Sequence, residues 1–77
     1  MPHVIVKLAS GRTEEQKTTL ALRLTQAVRE VMGSSEDDIS AAVEDVLVAD
    51  WVEKVYVPEI QGRPELIYKK PGYDPFK

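Results

Sequence analysis

The chain has to fold without covalent or metal cross-links, because its 77 residues include no cysteine and only one histidine. This composition excludes disulfide frameworks and thiolate zinc sites. At this length, folding buries only about 60% of the surface that the unfolded chain exposes, so a single copy has a thin core. Small domains of this kind often gain stability by oligomerisation. We therefore expect one domain, residues 1–77, that associates with a second copy of itself or with more.

Composition and charge exclude several classes of partner. An apolar content of 43% and a charged content of 30% are typical of a folded globular domain and not of a disordered chain. The net charge of −3 argues against nucleic acid, since binding to phosphates needs clustered basic side chains. Residues 1–30 carry charges throughout and contain no apolar run long enough for a signal peptide or a membrane span. We expect a cytoplasmic protein with no membrane partner and no nucleic-acid partner.

The beginning of the chain predicts a strand and the start of a helix. Residues 3–8 are rich in β-branched side chains that alternate between two faces. Thr13 and Gln16 have the spacing of a capping box, which indicates that a helix begins at this point. One face of the strand should carry Val4, Val6 and Leu8, and the other His3, Ile5 and Lys7.

This helix should present one apolar stripe with a period of 3.6 residues. We expect it to end near Met32, with Gly33 in the left-handed conformation that follows many helices. The predicted stripe consists of Leu20, Leu24, Ala27, Val28 and Val31, and Lys17, Arg23, Gln26 and Glu30 are expected outside it.

A second strand is predicted over residues 39–48, in which Ile39, Ala41 and Val43 alternate with more polar or smaller residues. Two strands joined by a helix of this length imply a right-handed parallel βαβ unit. The predicted fold class is therefore α/β (α+β), with a short helical and irregular C-terminal extension and a sheet completed by dimerisation. In the extension, Asp50 is the candidate cap of a short helix over Trp51 to Tyr56, and Pro58 the candidate start of another helical turn.

Pro2 is the residue that could supply the most unusual chemistry. Removal of Met1, which is general when a small residue follows, exposes a secondary amine at the start of the predicted strand. An ordinary α-amino group has a pKa near 8. Desolvation and a nearby cation, for which Arg12 is the candidate, would lower the pKa of this amine toward neutrality, where a general base works best. Pro2 is therefore a candidate catalytic base.

Other candidate site residues have weaker individual signals. Arg12 lies just before the predicted helix, where its guanidinium and the helix N-terminus favour a carboxylate. Trp51, the only tryptophan, is either a packing residue or a wall of the substrate pocket. His3 is next to Pro2 and is a candidate for binding substrate. Nothing in the spacing selects among the hydroxyl groups of Tyr56, Tyr68 and Tyr73.

The segment Pro2-His3-Val4-Ile5-Val6-Lys7-Leu8, followed by Gly11-Arg12-Thr13-Glu14-Glu15-Gln16-Lys17, resembles the opening of the 4-oxalocrotonate tautomerase superfamily. The resemblance covers about the first 51 residues without a gap. It implies the tautomerase fold and a cofactor-free reaction in which Pro2 moves a proton, Arg12 binds the substrate carboxylate and Trp51 walls the pocket. The second-strand arginine that supplies another substrate contact from a neighbouring subunit in that superfamily aligns with Ser40. The C-terminal extension, with Trp51 and the segment Lys69-Lys70-Pro71-Gly72-Tyr73 near its end, is similar to the dimeric PptA-type members, which act on phenylenolpyruvate-like enols.

The first hypothesis is thus a keto-enol tautomerase for enols of 2-oxo acids, such as phenylenolpyruvate or 2-hydroxydienoates, that needs no cofactor and no metal. Pro2 is its catalytic residue, and Arg12, Trp51, Ser40 and His3 are its substrate-binding residues. Two alternatives remain open: a hydratase or dehalogenase of unsaturated acids that uses the same proline, and a non-catalytic dimeric ligand-binding module in which Met1 blocks the amine.

Overall fold

A computed structural model describes all residues, 1–77, which separate into two compact units, Met1–Asp45 and Val46–Lys77. The first unit contains strand β1 (His3–Ala9), helix α1 (Glu14–Met32), a 3₁₀ turn (Glu36–Asp38) and most of strand β2 (Ser40–Val46). The second unit contains a 3₁₀ turn (Val48–Asp50), a π-helix (Val52–Gln61) and a further 3₁₀ turn (Pro64–Leu66). None of the helices has both the length and the apolar character that a membrane span requires.

Strands β1 and β2 form a two-stranded parallel sheet, as predicted. The N–H of Ser40 donates to the carbonyl of Pro2 over 3.2 Å, which aligns the beginnings of the two strands. The predicted alternation holds in both strands except at Lys7, which was expected on the exposed face with His3 and Ile5 but is half-buried. The half-buried face carries Val4, Val6, Leu8, Ala41 and Val43, while His3, Ile5, Ser40, Ala42 and Glu44 are exposed. The second strand is shorter at both ends than the predicted range 39–48, because a 3₁₀ turn precedes it and another begins at Val48.

The ends of α1 follow from local side-chain chemistry. Thr13 Oγ1 accepts from the N–H of Gln16 over 3.0 Å, and Gln16 Oε1 accepts from the N–H of Thr13 over 3.0 Å, so both halves of the capping box are formed. At the other end, Gly33 has φ 69° and donates its N–H to the carbonyl of Arg29. A left-handed conformation of this kind favours glycine, which lacks the Cβ that makes it strained. Both predicted helix ends are confirmed.

The predicted apolar stripe of α1 is only partly correct. Leu20, Leu24 and Val28 are half-buried, but Ala27 is exposed and Val31 is 81% exposed. Lys17, which was expected outside the stripe, has a side chain only 17% exposed. The reason is that a lysine can bury its aliphatic stem while its ammonium group finds partners at the edge of the packed surface. The buried face of α1 is therefore displaced toward its N-terminal half.

Two predictions for the second unit are wrong. Asp50 does not cap a helix, because it lies inside the 3₁₀ turn that runs directly into the π-helix. Pro58 does not start a helical turn, since it lies in the middle of that π-helix. The helix closes with the N–H of Gly62 donating to the carbonyl of Val57 over 2.8 Å. A Cβ at Gly62 would lie 2.8 Å from that same oxygen, so this close approach requires glycine.

Candidate functional site

Pro2 lies immediately before β1 and is half-buried. Its carbonyl is held by the N–H of Ser40, which fixes the proline at the edge shared by the first residues of both strands. Met1 is 102% exposed, so its side chain has no packing role in the fold. Removal of Met1 would leave the strand pairing of Pro2 intact, because that pairing uses the proline carbonyl and not its nitrogen.

His3 and Ser40 form a side-chain pair next to Pro2. Their side chains project from neighbouring strands on the exposed face of the sheet, with 2.6 Å between His3 Nδ1 and Ser40 Oγ. The fold thus brings together three of the five residues predicted for the site: Pro2, His3 and Ser40. Ser40 contributes twice, since its N–H binds the Pro2 backbone and its hydroxyl binds the imidazole.

Arg12 lies at the opposite end of β1, in the loop that enters α1. Its side chain lines a cleft of about 240 Å³, which we call the Arg12 cleft, and no acidic group pairs with its guanidinium. The guanidinium is therefore available to an anion. The cleft is lined by Leu8, Arg12, Gln16, Lys17 and Leu20.

Within one chain the fold does not bring Arg12 to Pro2. Leu8, which lines the Arg12 cleft, is six residues from Pro2 along an extended strand. At roughly 3.3 Å per residue this separation is roughly 20 Å, several times the reach of a hydrogen bond or of a close charge pair. One copy of the chain therefore presents the two groups at two separate places.

Lys17 is a cationic residue of the Arg12 cleft that sequence reasoning missed. Its Nζ lies 2.5 Å from Asp45 Oδ2 and 3.2 Å from Glu14 Oε1. The hydrogen bond to Asp45, followed by that to Glu14, raises the pKa of Lys17 from its ordinary value of 10.5. Because two carboxylates already balance this ammonium group, Arg12 is the unpaired cation of the cleft. The signal in the sequence was the spacing of Lys17 from Leu20 and Leu24, which continues their stripe by one turn.

Trp51 belongs to the second unit, where it is half-buried and its Nε1–H donates to Tyr73 Oη over 2.9 Å. The ring of Tyr56 lies 5.7 Å from that of Tyr73 and 5.8 Å from that of Phe76, between ring centroids. Tyr68 is 99% exposed. Trp51 and Tyr73 are thus parts of one aromatic cluster in the C-terminal extension.

The second unit also contains a cleft of about 310 Å³ beside this aromatic cluster. This cleft could not be predicted from the sequence, because turns formed by glycine and proline bring together residues with no periodic spacing. It is lined by Tyr56, Ile60, Gln61, Pro64, Ile67, Lys70, Pro71, Tyr73 and Asp74.

Comparison with known proteins identifies the family. The family model described as "Tautomerase enzyme" matches residues 2–58. A "Probable tautomerase" of Xylella fastidiosa is 45% identical over 73 residues, which are 95% of this chain and 89% of that protein. "Tautomerase PptA" of Pectobacterium carotovorum is 35% identical over 74 residues, covering 95% of this chain and 97% of its own length.

A solved structure agrees with these sequence relatives. The crystal structure of YwhB, described as a homologue of 4-oxalocrotonate tautomerase, superposes with a TM-score of 0.58 and 43% sequence identity, covering 60% of this chain and 75% of that one. The family match includes the sheet that carries Pro2, His3 and Ser40, since it runs from residue 2 to residue 58. The chain belongs to the tautomerase family, and it is an isomerase whose substrates are small molecules.

Proposed function

We propose that this protein is a cofactor-independent keto-enol tautomerase that acts on enol forms of 2-oxo acids, with Pro2 as general acid and base. One observation carries the proposal. Pro2 lies immediately before β1 with its carbonyl bound to Ser40 and with Met1 fully exposed, so loss of Met1 leaves a fixed amine. We propose that Met1 is removed, because a proline nitrogen acylated by methionine has no basic lone pair.

The proposed reaction moves one proton. Neutral Pro2 takes the proton of the enol hydroxyl, the electrons of that O–H bond form the C2 carbonyl, and the C2–C3 double bond takes up a proton at C3. Protonated Pro2 delivers that proton, so the amine returns to its starting state and no cofactor is needed. A single positioned group of this kind contributes about 10²- to 10⁴-fold to the rate. Binding of the substrate carboxylate by Arg12 adds the benefit of orientation.

The separation of Pro2 from Arg12 indicates a site shared between copies of the chain. We propose a homodimer, or a higher oligomer, in which Arg12 of one copy faces Pro2 of another. The thin core supports this association. Only Val46 and Val55 are buried hydrophobic residues in the whole chain, while Ile5 and Leu22 are more than half exposed. Association would cover such residues and would place a cation where it lowers the pKa of the proline amine.

The proposed substrate class is a monocarboxylate with an apolar or aromatic group, such as phenylenolpyruvate or a 2-hydroxydienoate. A serine at position 40 offers no positive charge to a second carboxylate, whereas one exposed arginine suffices for the first. Trp51 is the proposed apolar wall, and Ser40 and His3 are further substrate-binding residues. The proposed location is the cytoplasm, which suits a chain without cysteine.

The test combines intact-protein mass spectrometry with an ultraviolet assay of phenylenolpyruvate conversion. We expect a mass one methionine lower than that of the full chain, and activity that falls as pH drops below neutrality. Pro2→Ala, which keeps a primary amine, should lower kcat by about 10²-fold or more. Arg12→Ala should mainly raise KM, because it removes binding common to substrate and transition state.

Arg23→Ala is the matched control for Arg12→Ala, since Arg23 is an exposed arginine of α1 outside the Arg12 cleft. It should leave both kinetic constants unchanged. Full activity of protein that retains Met1, or of the Pro2→Ala variant, would contradict the proposal.

A further inference from the structure

The Arg12 cleft contains hydrogen-bond donors besides the Arg12 guanidinium. Its two other polar side chains are Gln16 and Lys17, and the remaining lining residues are Leu8 and Leu20. Arginine and lysine side chains have donors and no acceptor, whereas a glutamine amide has two N–H donors and one carbonyl acceptor. The side chains that line this cleft therefore offer an excess of donors, which suits an anionic ligand.

The capping box of α1 fixes the orientation of the Gln16 amide. Gln16 Oε1 accepts from the N–H of Thr13 over 3.0 Å, so the carbonyl oxygen is committed to the helix end. The amide nitrogen Nε2 is the other branch of the same planar group, and it has no hydrogen-bond partner within the chain. Gln16 thus has two unused N–H donors on an amide held in one orientation at the Arg12 cleft.

The charges at the cleft indicate which anion fits. Two carboxylates, those of Asp45 and Glu14, already bind the ammonium group of Lys17. A single negative charge on a ligand is therefore matched by Arg12, and a second negative charge would find no unbalanced cation in the cleft. A neutral donor such as the Gln16 amide strengthens the binding of one carboxylate and attracts no second charge.

The size of the cleft suits one end of a ligand. Its volume of about 240 Å³ is below the range of about 300–1,000 Å³ that complete small-molecule sites have. A carboxylate and the carbons next to it suit such a space, and in the proposed shared site the rest of the substrate extends toward Pro2 of another copy. Residues of the cleft are therefore candidates for binding the carboxylate and not for contact with the reacting carbon.

We propose, on the basis of the proposed function, that Gln16 binds the substrate carboxylate together with Arg12 and selects enol acids over uncharged enols. Gln16 Nε2–H donates to one carboxylate oxygen, and the guanidinium of Arg12 binds the same carboxylate. One side chain then has two tasks, since its Oε1 caps α1 and its Nε2 binds the ligand. No covalent bond to Gln16 is made or broken, and the proton transfer is left to Pro2.

Gln16→Glu separates the two tasks. Glutamate also completes a capping box and adds a favourable negative charge to the first helical turn, so Tm should not fall. Its second oxygen has no proton to donate and repels the substrate carboxylate. With phenylenolpyruvate, KM should rise about tenfold or more while kcat changes less than about twofold, because the carboxylate is bound alike in substrate and transition state. Gln26→Glu adds the same charge at an exposed position of α1 outside the cleft and should leave KM unchanged.

Gln16→Ala and Thr13→Ala form the second comparison. Each loses one side-chain bond of the capping box, so each should lower Tm by about 4–8 °C. Gln16→Ala also removes the amide donors without adding a charge that pairs with Arg12. It should raise KM about 3- to 10-fold, a moderate effect because Gln16 is exposed. Thr13→Ala keeps the bond from the N–H of residue 13 to Gln16 Oε1, so its KM should stay within about twofold of the parent.

Binding without turnover gives an independent measurement. The probes are 3-phenylpropionate, a monocarboxylate, and 3-phenylpropionamide, an uncharged molecule of the same shape, each titrated calorimetrically into the parent and the variants. The parent should bind the acid more tightly than the amide. Gln16→Ala and Gln16→Glu should reduce that preference, and Gln26→Glu should keep it.

The outcomes separate this inference from the proposed function. If Gln16→Glu keeps the parent KM, or if Gln16→Ala and Thr13→Ala raise KM equally, the binding role of Gln16 is overturned and the role of Pro2 stands. A parent protein that binds the acid and the amide equally would also overturn it. If Pro2→Ala is fully active, the proposed function itself fails, and the titrations still decide whether Gln16 binds a carboxylate.

Discussion

Ser40 lies where the resemblance to the 4-oxalocrotonate tautomerase superfamily implies an arginine. A neutral hydroxyl replaces a guanidinium, and its partner is the imidazole of His3, not a substrate carboxylate. The departure alters charge without altering the strand, because Ser40 still pairs through its backbone with Pro2. Substrate choice at this position should therefore be open to change by a single side chain.

Ser40→Arg should shift preference toward substrates with two carboxylates. A charge-assisted hydrogen bond is worth about 1.5–3 kcal/mol, so the ratio of kcat/KM for a 2-hydroxydienedioate over the matching 2-hydroxydienoate should rise about tenfold or more. The ultraviolet assay with both substrates measures this ratio. Ser40→Gln is long but neutral and serves as the control. An equal rise in the glutamine variant would show that length, and not charge, causes the change.

The sequence predicted which residues lie next to Pro2 better than it predicted the position of Arg12, the expected cationic partner of the Pro2 amine. His3 and Ser40 lie beside the proline because the register of two parallel strands puts them there. Arg12 was expected near the same amine, but strand length separates them within one chain. Sequence spacing does not report which copy of the chain supplies a residue.

At the scale of elements, the best predictions were those that depend on local chemistry. The ends of α1 follow from the capping box at Thr13 and from the left-handed Gly33, each of which involves residues a few positions apart. The π-helix over Val52–Gln61 could not be predicted in the same way, because Pro58 in a sequence normally indicates that a helix ends or begins. In this chain the wide turn of the π-helix and the close approach of Gly62 to Val57 accommodate Pro58.

Lys17 joins α1 to the end of β2, and its ion pair should make stability depend on pH. The pKa of Lys17 is raised above 10.5 in the folded state, so its contribution is fully present below the pKa of the unfolded chain. It is lost as pH rises through the higher folded pKa. Lys17→Met keeps the stem but removes the charge and should lower Tm by a few degrees at pH 8.

Thermal unfolding of the parent and of Lys17→Met from pH 7 to pH 11.5 checks this prediction. The difference in Tm should be constant below about pH 10 and should shrink above it, because deprotonation removes the same charge. In an Asp45→Asn background the difference should be smaller at every pH, since the first partner of Lys17 is gone. A difference in Tm that did not change with pH would assign the effect to packing.

At the scale of the whole molecule, few side chains are buried and many large apolar ones are exposed. Such a chain has little stability of its own to spare. The same association that would cover these residues is the one that would bring Arg12 to Pro2. Stability and catalysis should therefore depend together on protein concentration, with Tm rising as the concentration rises.

Mixing two impaired variants tests the shared site directly, provided that the assay uses a substrate concentration well below the raised KM of Arg12→Ala. If Pro2 and Arg12 of different copies form each site, a one-to-one mixture of Pro2→Ala and Arg12→Ala gives dimers of which half are mixed. Each mixed dimer has one site with both residues, so about a quarter of the parent activity should appear in a symmetric dimer. The variants are unfolded and refolded together to exchange copies, and each variant treated alone is the control. Activity no higher than the average of the two variants would place both residues in one copy.

The complete exposure of Met1 has a practical meaning for anyone who produces this protein. Any fusion partner or affinity tag attached ahead of residue 2 would leave the strands and helix undisturbed while turning the proline nitrogen into an amide. Such a preparation would unfold like the untagged protein yet convert no enol, and cleavage that leaves proline first would switch it on. Under the proposed mechanism, such a tag blocks activity until a protease removes it, and no mutation is required.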